Sequence, residues 1–100
     1  MRPKPLLGPI MAGLALALLV LPASAECFVD YKAKQDNPLQ LAYGVAQVSD
    51  DICGDKGAEA AELAPRLEAD GWTLLKVLSS FGPEGLDERK ASAGDFFLRY

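Results

Sequence analysis

Cys27 and Cys53 are the only cysteines in this chain of 100 residues, and their fate decides how so short a polypeptide can fold. Two thiols mean little in a reducing compartment, whereas an even count in a short exported chain favours a disulfide. The start of the sequence points to export. Arg2 and Lys4 form a basic head, Leu6, Leu7 and the run from Ile10 to Leu21 carry no charge, and Pro22-Ala23-Ser24-Ala25 ends in small residues. That is the three-part layout of a secretory signal over residues 1–25, with cleavage expected after Ala25. The apolar run is short of the ~20 residues that a membrane-crossing helix needs, so no stable membrane insertion is expected after cleavage. Glu26 before Cys27, and Ser24 where an aliphatic residue would be required, argue against lipid attachment at Cys27. The protein is therefore expected to be periplasmic or secreted.

The remaining 75 residues, 26–100, suffice for a single small domain. Chains of this size seldom bury enough apolar surface to be stable without a staple. A Cys27–Cys53 bridge would supply one, since closing a loop of this length is worth about 3–4 kcal/mol by chain entropy. The spacing is not C-x-x-C, and no basic residue adjoins either cysteine to activate it, which favours a structural role. Residues 26–100 hold eight basic residues against fourteen acidic ones, a net charge of about −6. That balance disfavours nucleic acid or anionic lipid as partners.

Hydropathy patterning gives the elements. Val29, Tyr31 and Ala33 alternate with Asp30, Lys32 and Lys34, which predicts a half-buried strand over 27–34. Gln35-Asp36-Asn37-Pro38 is turn chemistry. Leu39 to Val48 predicts a second strand, paired with the first as a hairpin, with Leu39, Leu41, Tyr43 and Val45 on one face and Gln40, Ala42, Gly44 and Ala46 on the other. The small residues on that second face suit either a close-packed helix or a shallow ligand floor. A helix follows, N-capped by Asp55 and stopped at Gly71. Its apolar stripe is Ala60, Leu63, Ala64 and Leu67, with Lys56, Glu59, Glu62 and Arg66 outside it. Pro65 interrupts the helix and predicts a kink or a break into two. Trp72 to Phe81 carries apolar groups on both faces, as a central strand does. Gly82 to Gly94 reads as an exposed loop with at most a turn of helix, and Phe96 to Tyr100 as a fourth strand. The expected fold is α+β in two layers: a four-stranded, mostly antiparallel sheet packed on one kinked helix, in the order ββαβ-loop-β, with its other face open.

Catalytic groups are sparse. The chain has no histidine, which removes the commonest general base and metal ligand. No G-x-S-x-G or S-x-x-K pattern activates a serine. Asp50, Asp51 and Asp55 lack the alternation of a calcium loop and read as a solvated turn. No catalytic residue, metal or cofactor is expected. The candidate ligand face consists of Lys32, Lys34, Tyr43 and Arg99, where cations and an aromatic ring could meet an acidic or sugar-containing ligand. Lysines on edge strands also serve to prevent aggregation.

Two resemblances add to this reading. Tyr31 to Leu39, Gly71 to Leu75 and Phe97 to Tyr100 make the chain look like small exported proteins of GC-rich alphaproteobacteria, which implies an envelope protein and brings no activity. Tyr43 to Val48, Ala60 to Leu63, Leu67 and Gly71 are similar to the strand–helix opening of SPOR domains. That likeness implies binding of peptidoglycan glycan strands on a sheet face; the first hairpin strand, Pro65 and the cysteines depart from it. The expected function is a non-catalytic, disulfide-stapled interaction module with an envelope protein or cell-wall ligand as partner. A SPOR-like glycan binder and a small enzyme inhibitor, acting through the loop Gly82 to Gly94, are the alternatives.

Overall fold

The structure is a computed structural model that describes residues 26–100; the secretory-signal expectation lies outside the described residues. Strands β1 (Cys27–Gln35) and β2 (Gln40–Val48) form an antiparallel hairpin in unbroken register from Cys27↔Val48 to Gln35↔Gln40. Asn37 turns the corner with φ +66°, a left-handed conformation that Asn tolerates. Helix α1 (Lys56–Glu68) follows a short 3-10 turn, and strand β3 (Thr73–Phe81) pairs antiparallel with β1. A second helix, α2 (Asp87–Ala93), and a 3-10 turn at Gly94–Phe96 complete the chain.

The sheet has three strands in the order β2-β1-β3, not four. Phe96 to Tyr100 does not form a strand; it touches the sheet through one parallel bridge, Val45↔Phe97. Gly94 and Leu98 have φ of +54° and +56°, so the backbone turns just before the apparent alternation and again in its middle. Phe96 and Tyr100 stay together, with ring centroids 6.1 Å apart, while Phe97 goes to the other side of the sheet. Phe96 meets Trp72 edge-on, Phe97 packs with Phe28 and Val45, and Tyr100 packs on the helix-side core. Strand β3 is an edge strand and β1 the central one. Two bulges, at Leu75 and Leu78, break the period of two in β3 and produce the two-faced apolar pattern that read as central.

Helix α1 covers one face of the sheet. Asp55 caps it by accepting from the Ala58 N–H at 3.1 Å, as its position predicts. Gly71, at φ +84°, ends it, with the Gly71 and Trp72 N–H groups donating to the carbonyls of Glu68 and Leu67. The helix runs through Pro65 rather than breaking into two, because the buried Leu63 and Leu67 hold the turns on either side against the sheet. The main core lies in this layer: Cys27, Val29, Tyr31, Ala33, Ala46, Val48, Leu63, Leu67 and Val77. Gly44 is where the close approach falls. A Cβ there would lie 2.9 Å from Tyr31 Cε1 and closer still to Cζ and Oη, so the small-residue face of β2 receives the Tyr31 ring instead of a ligand or helix backbone. Cys27 and Cys53 are disulfide-bonded with Cα atoms 5.8 Å apart, pinning the start of β1 to the approach to α1. Glu59 is fully buried beside that bridge rather than on the solvent side. Its Oε2 accepts from the Gly54 N–H and the Ser80 hydroxyl, both at 2.7 Å.

Candidate functional site

The outer face of the sheet, opposite α1, divides into two halves. Towards the Cys27 end it is covered. Phe28, Val45 and Ala93 form a second buried cluster, sealed by Tyr43, Phe81, Leu86 and Phe97. The segment from Gly82 to Gly94 therefore folds back onto the sheet through α2 and is not a projecting loop, and the fold has a third, partial layer.

A polar network fastens this cover. Asp30, assigned by alternation to the solvent face, is only 7% exposed. Its carboxylate accepts from Ser79 Oγ at 2.6 Å, Tyr43 Oη at 2.8 Å and Arg89 Nε at 3.2 Å. Arg89 also donates to the Gly85 carbonyl at 2.7 Å and lies 3.8 Å from the centre of the Phe81 ring. Burial pushes the Asp30 carboxyl up, but the three hydrogen bonds and the Arg89 charge outweigh it and hold the group below its usual 3.8. Burial, joined by the hydrogen bond to Asp30 and its negative charge and opposed by Arg89, pushes Tyr43 up to about 12.

Towards the hairpin turn the outer face is uncovered. Cross-strand pairing places Tyr43, Lys32 and Lys76 in one row and Leu41, Lys34 and Thr73 in the next. Leu75, expelled by its bulge, stands between the rows. Lys32, Ala33, Leu41, Ala42, Tyr43 and Leu75 line a mainly apolar hollow of about 320 Å³. Leu39, Leu41 and Leu75 are 62%, 71% and 49% exposed, three of the four exposed large apolar residues among those described. Lys34 is paired with Asp36 at 3.4 Å. Among the described residues Lys32 and Lys76 take part in no ion pair, although they face each other directly across the strands. Like charges in that position destabilise a sheet.

Of the four residues proposed from sequence, Lys32, Lys34 and Tyr43 come together here, with the Tyr43 hydroxyl committed to Asp30. Arg99 does not join them. It pairs with Asp70 at 3.8 Å, just beyond α1, and lies 5.6 Å from the centres of both the Phe96 and Tyr100 rings. Sequence reasoning placed Leu41 on the same strand face as Tyr43 without counting it in the candidate site, and missed Lys76 and Leu75. Lys76 becomes visible only when β3 is docked on β1 with its bulges.

A second, larger hollow of about 580 Å³ lies between the end of β2, α1 and the C-terminal residues, with Glu62, Arg66 and Tyr100 among its lining. Its charged groups serve the fold: Arg66 donates to the Gln47 carbonyl at 2.9 Å, and Glu62 accepts from the Ser49 N–H at 3.1 Å. Cys27, Cys53 and Glu59 bring ligand-type atoms within 4.8 Å of one another, but the two sulfurs are bonded together and offer no thiolate to a metal. Among the described residues no helix is long and apolar enough to cross a membrane. Comparison with protein-family models, curated proteins and solved structures finds no match to this chain.

Proposed function

We propose that the protein is an exported, non-catalytic interaction module that uses the uncovered half of its outer sheet face to bind an anionic ligand with an apolar part. One observation carries the reading. The like-charged pair Lys32 and Lys76 shares this half-face with the exposed Leu41 and Leu75, which line an apolar hollow, and the adjoining turn adds the exposed Leu39. Cations held together against their repulsion, next to apolar surface left in water, suit a ligand that neutralises the first and covers the second. The disulfide supports a site of action in an oxidising space such as the periplasm.

Titration of the purified protein with a soluble anionic amphiphile, dodecanoate, tests this. Saturable binding is expected, weakened about ten-fold or more when Lys32→Glu and Lys76→Glu remove two charge-assisted contacts. Unchanged binding in that variant, with its fold intact by circular dichroism, overturns the reading. The SPOR resemblance leads to a sheet face by another route. Co-sedimentation with amidase-treated peptidoglycan sacculi that persists in the double variant assigns the protein to glycan strands instead.

A further inference from the structure

We infer that the hairpin-turn end of the outer face docks the protein on the surface of an anionic lipid bilayer; this rests on the reading of the face given above. Although Leu41 and Leu75 line the hollow, both remain exposed, as does Leu39. Leu39 lies in the turn itself, Leu41 is the most exposed large apolar residue among those described, and Leu75 stands out on β3. They belong to the turn and to the two edge strands, so they present several separate apolar points to a flat, deformable partner. Lysines interleave with them, and long lysine stems let apolar neighbours sink while the ammonium stays at the level of phosphate.

The distribution of charge along the strands agrees. The net charge of residues 26–100 is negative, which taken as an average argues against an anionic surface. The structure separates the signs. Lys32, Lys34 and Lys76 lie towards the turn on the outer face, with Asp36 paired among them, while Glu68 and Asp70, which reach the same end at the close of α1, belong to the helix side of the sheet, with Asp70 paired to Arg99. Asp50, Asp51 and Asp55 follow Val48, which pairs with Cys27 at the far end of the hairpin. Glu84, Asp87 and Glu88 follow Phe81, which pairs with Phe28 at that same end, where Lys56, Arg89 and Lys90 offset only part of the acid. An anionic plane attracts the lysine end and repels the opposite one, so the field selects the orientation that also presents the leucines. Docking of this kind is peripheral and involves no spanning helix.

The test is co-sedimentation of the purified protein with vesicles of phosphatidylcholine alone and of phosphatidylcholine mixed equally with phosphatidylglycerol. Binding about ten-fold stronger to the anionic vesicles is expected, weakening as salt rises to about 0.15 M and beyond. Lys32→Glu with Lys76→Glu should abolish the preference, and Leu41→Asp should weaken binding to both vesicle types, each with an unchanged circular dichroism spectrum. Equal binding to both vesicles, or binding indifferent to these variants, overturns the inference. Dodecanoate binding without vesicle binding overturns the bilayer and leaves the face reading standing. Loss of both defeats both. A dimer in solution that Leu41→Asp dissociates, without vesicle binding, assigns the face to a second copy of the chain and overturns the bilayer as its partner.

Discussion

A carboxylate that loses its water must recover hydrogen bonds from its neighbours, and Asp30 recovers three. Ser79 comes from β3, Tyr43 from β2 and Arg89 from α2, so one side chain ties both flanking strands and the outer helix to the central strand. Replacing it by alanine strands the partly buried Arg89 and should cost about 2–4 kcal/mol, measurable by urea denaturation. Its acid dependence follows from the direction of its shift. The folded-state pKa lies below the ordinary 3.8, so its stabilisation is complete above the unfolded value and is lost as pH falls from about 4 through the lower folded value. Asp30→Asn should flatten that part of the acid-denaturation profile; an unchanged profile would remove Asp30 as its source. Gly44 is the other residue whose identity is forced. Gly44→Ala pushes a methyl into the fully buried Tyr31 ring and should lower stability by about 1–3 kcal/mol, although alanine suits a strand no worse than glycine. Thermal unfolding of the single variant decides this, since no loss would mean that the ring moves aside freely.

Among the elements, the hairpin and α1 were legible because each depends on local signals: alternation over β1 and β2, turn residues between them, Asp55 at the start of the helix and Gly71 after it. The two sulfurs also meet as their count implied. The C-terminal third was not legible in the same way. Phe96, Leu98 and Tyr100 alternate like a strand, but left-handed backbone at Gly94 and Leu98 overrides the pattern. Helix α2 is too short and too polar to announce itself. It is held by tertiary contacts, Ala93 and Leu86 against Phe28 and Arg89 against Asp30 and Phe81. The candidate face suffered the same limit, since alternation placed Lys32 and Lys34 correctly but the bulged register that brings in Lys76 is non-local. Stability should follow this division. Reducing the disulfide under native conditions reopens the loop between β1 and α1 and should cost about 3–4 kcal/mol, so urea midpoints with and without reductant should differ by most of the protein's stability. A shift of only a few tenths of a kcal/mol would mean that the core holds the loop without the bridge.

At the scale of the whole molecule, the covered and uncovered halves of one sheet face obey opposite rules. Near Cys27 the buried carboxylate of Asp30 is matched by Arg89 and the apolar groups are sealed, which is how an interior behaves. Near the turn, cations face each other and leucines stand in water, which lowers stability without any gain within the chain. A purely structural edge would be improved by matching the charges. Lys76→Glu does this, setting a carboxylate directly across from Lys32, and should raise stability by about 0.5–1 kcal/mol. The same variant should weaken binding of anionic amphiphiles, because the ligand then meets a pair already neutralised. A gain in melting temperature together with a loss of binding would identify the lysine pair as retained for a partner. If melting temperature and binding fall together, Lys76 is supporting the strand, and the ligand must be sought on another surface.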